Sequence, residues 1–170
     1  VDRRQRQMCK ETERVAFNIC IGNTDDHFRN HSFLLGREGW ELSPAYDMNP
    51  TKSVYQALLI DTNTNDSSLN SLYNAHELYM LDETTARGII MDVTRNMKYW
   101  ENMAENIGLP RREIKYFTER FEKGMDFQYS SDFVGEVKQG RRSICLPFAY
   151  PYKRINDVFI LTIKIRLYNN

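Results

Sequence analysis

Residues 21–35 read IGNTDDHFRNHSFLL and, three residues later, residues 39–50 read GWELSPAYDMNP. The five polar residues 23–27 follow an apolar stretch and a glycine, which indicates a loop. Residues 31–35 and 40–42 are typical of short strands, and the GREG sequence between them is typical of a hairpin turn. The sequence therefore predicts a β-hairpin with a polar loop at each end.

Apolar residues at helical spacing predict four helices around this hairpin. Asp66 or Ser67 is the expected N-cap of the second helix, and Gly108 with Pro110 separates the third from the fourth. The predicted fold is α+β and mainly α, with helices around a short hairpin. The four helices cover residues 8–21, 69–80, 82–107 and 110–124.

The composition restricts the possible functions of the chain. Its 170 residues include 23 basic and 23 acidic side chains, and this balance argues against direct nucleic-acid binding. No apolar run approaches the roughly 18 residues that a membrane span requires. The chain has three cysteines and no CxxC pair, which favours a reducing cytoplasm.

The last part of the chain differs in character from the rest. Residues 136–170 carry seven basic and two acidic side chains, and residues 163–167 alternate between apolar and basic like a half-buried strand. We therefore expect residues 128–170 to be a divergent basic tail, either β-rich or poorly ordered. Residues 1–127 are the expected folded domain.

Three polar side chains have the arrangement that phosphoryl transfer requires. Asp25 and Asn30 are five residues apart in the loop after a helix, and Asp47 lies in the loop beyond the hairpin. In protein kinases, one Asp accepts the proton of the attacking hydroxyl, while an Asn and a second Asp hold Mg²⁺. Carboxylate and amide oxygens suit this hard cation, which also keeps waters and phosphate oxygens as ligands.

The sequences at 21–35 and 39–50 closely resemble the HipA family of bacterial toxin kinases. The resemblance continues through Tyr99 and Trp100 to about Phe127, and it does not obviously cover the tail. It implies the C-terminal lobe of a two-lobed, protein-kinase-like Ser/Thr kinase. In this lobe, residues 22–30 would be the catalytic loop and residues 43–50 the metal loop.

Carried over position by position, the resemblance implies roles for the residues of both loops. Asp25 would be the catalytic base, and Asn30 and Asp47 would bind Mg²⁺. Tyr46 with Asp47 would replace the D-F-G sequence that other kinases have in the metal loop. The implied ATP-binding residues are His27, Phe28, Arg29, Asn30, Tyr46 and Asp47.

The resemblance also implies partners. The phosphate-binding glycine loop, the ATP-binding lysine and the hinge of the family lie before the catalytic loop, and the chain contains no G-x-G-x-x-G sequence. We therefore expect a missing N-terminal kinase lobe, and an isolated C-terminal lobe that does not turn over. A protein substrate and a DNA-binding antitoxin are the other implied partners.

Two other functions fit parts of the sequence. A small-molecule phosphotransferase of the aminoglycoside-kinase type would share the Asp–Asn–Asp logic, although such enzymes have His at the position of Asn23. The other alternative is a non-catalytic lobe that binds an antitoxin or a separate N-terminal lobe. For His27 and His31, hydrogen bonding or packing is the expected role, because the loop lacks the helical geometry of a metal-binding histidine pair.

Overall fold

The computed structural model describes residues 3–37, 39–51 and 53–128 of the chain. The tail predicted for residues 128–170 lies, apart from Gln128, outside these residues. The observed elements confirm an α+β, mainly α fold with one two-stranded antiparallel sheet. In chain order they are α1 (Arg3–Ile21), a 3-10 turn (Phe28–Asn30), β1 (Phe33–Gly36), β2 (Gly39–Leu42), α2 (Leu69–Asn74), α3 (Glu83–Met97), α4 (Trp100–Asn106) and α5 (Arg111–Gly124).

Helix α1 is the centre of the fold. It packs against α2, α3, α5 and β2, and its C-terminal half is almost completely buried. Ala16, Ile19 and Cys20 have at most 1% of their surface exposed and contribute to the main core. The loop that follows α1 is therefore anchored on the most buried element of the molecule. Within the described ranges, no helix combines the length and the apolar character needed to cross a lipid bilayer.

Helix α5 approaches α1 very closely at Gly124. A Cβ atom at this position would lie 2.3 Å from the carbonyl oxygen of Cys20. One and two turns earlier, Phe121 and Phe117 of α5 stack with ring centroids 5.5 Å apart, and Trp100 of α4 contacts Phe121 edge-on at 4.7 Å. These contacts fix the C-terminal end of α1 against the helical body.

The hairpin projects from this body with little cover. Phe33 pairs with Leu42 and Leu35 pairs with Trp40 across the two strands. Of these four residues only Leu42 is buried, and its backbone N–H donates a hydrogen bond to the Gln7 side chain of α1 at 3.2 Å. The other three are exposed, as is Leu34 on the opposite face of β1. We call Phe33, Leu34, Leu35 and Trp40 the apolar hairpin surface.

The prediction of one continuous helix over residues 82–107 is wrong. The chain forms α3 and α4, with a break at Lys98 and Tyr99, although the apolar positions continue in register from Met97 to Trp100. The side-chain amide of Asn96 donates to the carbonyl of Asp92 at 2.7 Å, and such local bonds compete with the helical ladder. Because Met97 and Trp100 are both buried, apolar spacing could not reveal the break.

Helix α2 is shorter than predicted, and its N-cap is Ser68 rather than Asp66 or Ser67. The chain leaves the α-helical pattern after Asn74. The N–H groups of Leu78, Tyr79 and Met80 then donate to carbonyls three residues earlier, which is the tighter 3-10 spacing. At the other end of the fold, α1 begins at Arg3, several residues before the predicted start at residue 8.

Candidate active site

The predicted catalytic loop, residues 22–30, begins where Gly22 ends α1, and we keep the names catalytic loop and metal loop for the two predicted segments. Gly22 has φ +66°, a left-handed conformation that favours glycine at helix C-termini. The backbone N–H of Asn23 then returns to the carbonyl of Asn18 at 2.8 Å, and its side-chain amide donates to the Asn18 side chain at 3.0 Å. Asn18 and Asn23 are both almost fully buried, so the first residues of the loop have a fixed position on α1.

Asp25 and Asn30 lie together in this loop but in different environments. Asp25 is exposed, and its carboxylate has no hydrogen-bond or ion-pair partner among the described residues. Asn30 is buried at the end of the 3-10 turn, and its side-chain amide donates to the backbone carbonyl of Asp25 at 3.4 Å. This contact leaves the Asn30 amide oxygen available and presents the Asp25 carboxylate to solvent.

Asp47 occupies an unusual backbone conformation in the metal loop. Its φ is +56°, in the left-handed region that is unfavourable for residues other than glycine unless the surroundings hold it there. Asn49 donates to one carboxylate oxygen of Asp47 at 2.9 Å, and the Asn23 side chain donates to the Asp47 carbonyl at 3.4 Å. The catalytic loop therefore contacts the backbone of Asp47 directly.

Tyr46 forms a second connection between the two loops. Its hydroxyl donates to the backbone carbonyl of Arg29 and lies 2.6 Å from the Ser32 hydroxyl. Arg29 immediately precedes Asn30, and Tyr46 immediately precedes Asp47. The hydrogen bonds of Tyr46 and Asn23 thus bring the loop that carries Asp25 and Asn30 beside the loop that carries Asp47.

The oxygen atoms in this arrangement suit a hard divalent cation. Asn30 contributes an amide oxygen and Asp47 a carboxylate oxygen, and neither oxygen accepts a hydrogen bond from another described residue beyond the Asn49 contact. Mg²⁺ needs only one or two protein ligands, because waters and phosphate oxygens complete its octahedron. Across the described part of the chain, no group of three or more His, Cys, Asp and Glu side chains forms a metal cage.

Three other predicted nucleotide-binding residues, His27, Phe28 and Arg29, lie in the same loop, and His27 is the least exposed of them. Phe28 is 82% exposed at the start of the 3-10 turn, and Arg29 is also exposed. The Arg29 guanidinium lies 3.3 Å from Nε2 of His27. The three residues directly precede Asn30 in the sequence, and their contact with ATP stays a prediction.

Asp26 and His31 form a pair beneath the loop. The buried Asp26 carboxylate lies 2.8 Å from Nε2 of His31, so the two histidines of the loop have different partners. Burial raises the pKa of the neighbouring Tyr79 to about 12, with further contributions from Asp26, Glu11 and Asp61.

Two residues that the sequence did not single out hold the ends of the metal loop. Arg14 of α1 is buried, and its guanidinium donates to the carbonyl of Ser43. The backbone N–H of Thr51 donates to the Gly22 carbonyl at 2.9 Å. The sequence signal for Arg14 is its position as a charged residue within a helix that is expected to be buried. Nothing in the sequence distinguishes Thr51 from other polar loop residues.

A comparison with protein families places this geometry in context. The family model for the HipA-like C-terminal domain matches residues 2–125, which is more than half of the chain. The chain belongs to the HipA family. The matched part of this HipA-family domain includes both loops and the five described helices α1 to α5. A search of curated proteins and a search of solved structures each found no match to the chain.

Proposed function

We propose that this HipA-like C-terminal domain is the catalytic lobe of a Ser/Thr protein kinase. It would transfer the γ-phosphoryl group of ATP to a hydroxyl of a protein substrate. The observation that carries the proposal is the direct hydrogen bonding between the two loops. Asn23 donates to the Asp47 backbone and Tyr46 donates to the Arg29 backbone, so the loop that carries Asp25 and Asn30 is joined to the loop that carries Asp47.

Each side chain has a chemical task in this proposal. The Asp25 carboxylate accepts the proton of the attacking hydroxyl, whose oxygen forms a bond to the γ-phosphorus while ADP departs with the bridging oxygen. Asn30 and Asp47 would hold Mg²⁺, which supplies neutralisation of phosphate charge when bound. His27, Phe28, Arg29 and Tyr46 would line the nucleotide site. Most of the rate enhancement would come from positioning and electrostatics.

The apolar hairpin surface supports a partner for this lobe. Leu35 is 69% exposed and Trp40 is 64% exposed, and they form a cross-strand pair. Contiguous apolar surface of this kind typically marks an interaction site. We assign it to the nucleotide-binding lobe of the kinase, supplied by the same polypeptide or by another chain. The DNA-binding antitoxin that the family implies is a further proposed partner, as is the protein substrate.

Phosphoryl transfer from labelled ATP tests the catalytic proposal. The measurement uses a protein in which this domain is accompanied by its nucleotide lobe. Replacing Asp25 by Asn removes the proton acceptor with little change of volume, so we expect transfer to fall by at least about a hundredfold. Asp66→Asn is the matched control, because Asp66 is an exposed loop residue outside both site loops. The control should transfer at the wild-type rate.

The outcomes separate the alternatives. Wild-type transfer by Asp25→Asn would contradict the assignment of Asp25 as the base. Labelling of a small molecule but of no protein would favour the small-molecule phosphotransferase. A stable complex with a partner lobe, without transfer by the wild-type protein, would favour the non-catalytic binding lobe, which the exposed hairpin surface also supports.

A further inference from the structure

Thr51 makes several hydrogen bonds between the catalytic and metal loops. Its backbone N–H donates to the Gly22 carbonyl at 2.9 Å, and its hydroxyl lies 3.3 Å from the same oxygen. The Thr51 hydroxyl also accepts a hydrogen bond from the backbone N–H of Thr24 at 3.1 Å and contacts the Thr24 hydroxyl. We call this set of contacts the threonine clamp.

The threonine clamp uses the full capacity of the Thr51 hydroxyl. A hydroxyl has one donor and two acceptor sites. The Thr51 hydroxyl can donate to the Gly22 carbonyl while it accepts hydrogen bonds from the backbone N–H and the hydroxyl of Thr24. These three bonds satisfy the Thr51 hydroxyl without another side chain. Thr24 is only 4% exposed and Thr51 is half-buried, which means that water has little access to replace these bonds.

The position of the clamp relates it to Asp25. Thr24 immediately precedes Asp25, whose own carboxylate has no partner among the described residues. The direction in which Asp25 points is therefore set by the backbone before and after it. On the N-terminal side of Asp25, the backbone N–H of Thr24 donates a hydrogen bond to Thr51. On the C-terminal side, the backbone carbonyl of Asp25 accepts a hydrogen bond from the Asn30 side chain.

The clamp also bears on Asp47. Thr51 lies four residues after Asp47, and Asn23, inside the clamp, donates to the Asp47 carbonyl. A left-handed aspartate persists only where its surroundings over-determine the backbone. The clamp supplies this constraint on the C-terminal side of the metal loop, as Arg14 does on the N-terminal side.

We infer that Thr51 is a positioning residue that sets the separation of Asp25 and Asn30 from Asp47, an inference that rests on the proposed kinase function. Thr51 does not touch the reacting atoms in this assignment. Its hydroxyl keeps the two metal-binding side chains at a constant spacing. Loss of the Thr51 hydroxyl should reduce the free energy of cation binding more than it reduces the free energy of unfolding.

Mn²⁺ titration of the 170-residue chain tests this role, with an equal concentration of ATP present and water-proton relaxation as the readout. Thr51→Val keeps the shape of the side chain and removes the hydroxyl. We expect its Mn²⁺ affinity to fall by about ten- to a hundredfold, as for other residues that orient metal ligands. Thr51→Ser keeps the hydroxyl and should retain nearly wild-type affinity.

Thr94→Val is the matched control for stability. Thr94 lies in α3, outside the site, and among the described residues its hydroxyl bonds only to the carbonyls of Ile90 and Met91 of its own helix. Urea unfolding of each variant accompanies the titration. If Thr51 had a purely structural role, Thr51→Val would lower the free energy of unfolding and leave the Mn²⁺ affinity of the folded protein unchanged.

Each result supports or overturns the inference. Weak binding by Thr51→Val with normal binding by Thr51→Ser and Thr94→Val supports it. Wild-type binding by Thr51→Val overturns the positioning role and leaves the kinase proposal intact. Absence of Mn²⁺ binding by the wild-type chain also overturns the inference, because this lobe would then not hold its metal ligands at a working spacing, whereas the kinase proposal is decided by phosphoryl transfer with the nucleotide lobe present. If Thr51→Val does not fold, Thr24→Val decides in its place, and an unchanged affinity there overturns the inference.

Discussion

Glu13 of α1 is a carboxylic acid in surroundings that disfavour its charge. Its pKa is raised from 4.5 to about 7, chiefly by burial and in addition by the nearby Asp92 carboxylate of α3, while Lys10 opposes the shift. Asp92 itself forms an ion pair with Arg95 at 3.0 Å. Ionisation of Glu13 therefore works against the packing of α1 on α3.

Glu13 predicts a loss of stability as the pH rises. The unfolded chain releases this proton near pH 4.5 and the folded chain near pH 7, so the folded state binds more protons between these values. The contribution of Glu13 to stability is complete below pH 4.5 and is lost as the pH rises through 7. At about 1.4 kcal/mol per pH unit, the loss is at most about 3.5 kcal/mol.

Glu13→Gln removes this titration. In urea unfolding, we expect the variant to be more stable than the wild type at pH 8 and to approach it at pH 4.5. Glu119→Gln is the control, because Glu119 is exposed on α5. Identical pH dependence of unfolding in the wild type and Glu13→Gln would contradict the assignment.

Asp47 and Thr51 show how far single residues could be predicted from sequence. The pattern of polar residue types drew attention to Asp25, Asn30 and Asp47, because their spacing matches a known chemical requirement. Thr51 has no such pattern: its importance depends on a hydroxyl meeting Gly22 and Thr24 across 27 or more residues of chain. Contacts of this kind depend on tertiary structure, and their roles in catalysis stay predictions until tested.

At the scale of elements, two helical glycines have opposite environments. A Cβ at Gly124 would lie 2.3 Å from the Cys20 carbonyl and 2.6 Å from the Ile19 carbonyl, both backbone atoms that cannot move aside alone. A Cβ at Gly88 in α3 would meet nothing within 4 Å. The close approach of α5 to α1 therefore depends on glycine at position 124 and not at position 88.

Alanine at each position tests the element packing. Gly88→Ala should raise the free energy of unfolding by about 1 kcal/mol, because alanine is the better helix former. Gly124→Ala should lower it by about 2 kcal/mol, because the added methyl group separates α5 from α1. Thermal unfolding of both variants provides the measurement. A stabilised Gly124→Ala variant would contradict the described contact between the helices.

The elements were predicted well where apolar spacing and end signals agreed. Glycine or proline marked the boundaries at Gly22, Gly108 and Gly124, and the hairpin was identified from its turn. The break at Lys98 had no such marker, since the buried positions 97 and 100 preserve the helical period across it. The hydrogen bond of the Asn96 side chain could not be predicted from one sequence, so the sequence did not indicate the end of α3.

At the scale of the whole molecule, the helical body is well packed and the hairpin is not. The core gathers residues from α1 through α5, while the apolar hairpin surface faces solvent on both sides of the sheet. Two-stranded hairpins are marginally stable without cover. The two site loops lie at the ends of the hairpin. A partner that covers and stabilises the hairpin would therefore also stabilise the geometry of the site.

Serine at Leu35 and Trp40 tests the assignment of the hairpin surface. The double variant Leu35→Ser/Trp40→Ser should lose binding to the nucleotide lobe in size-exclusion chromatography of the mixed lobes. It removes apolar contact area without touching the helical core. Leu78→Ser is the control, because Leu78 is 56% exposed outside the hairpin. Binding by the double variant at the wild-type level would show that the lobe docks elsewhere.

The open hairpin has a consequence for the amounts of protein in a cell. Exposed apolar side chains such as Leu35 and Trp40 favour association between copies of a protein at high concentration. The amount of this domain that remains unaggregated is then limited by the amount of the partner that binds the hairpin. If the two are separate chains, their ratio at synthesis would determine how much active protein is present, independently of any change in catalytic rate.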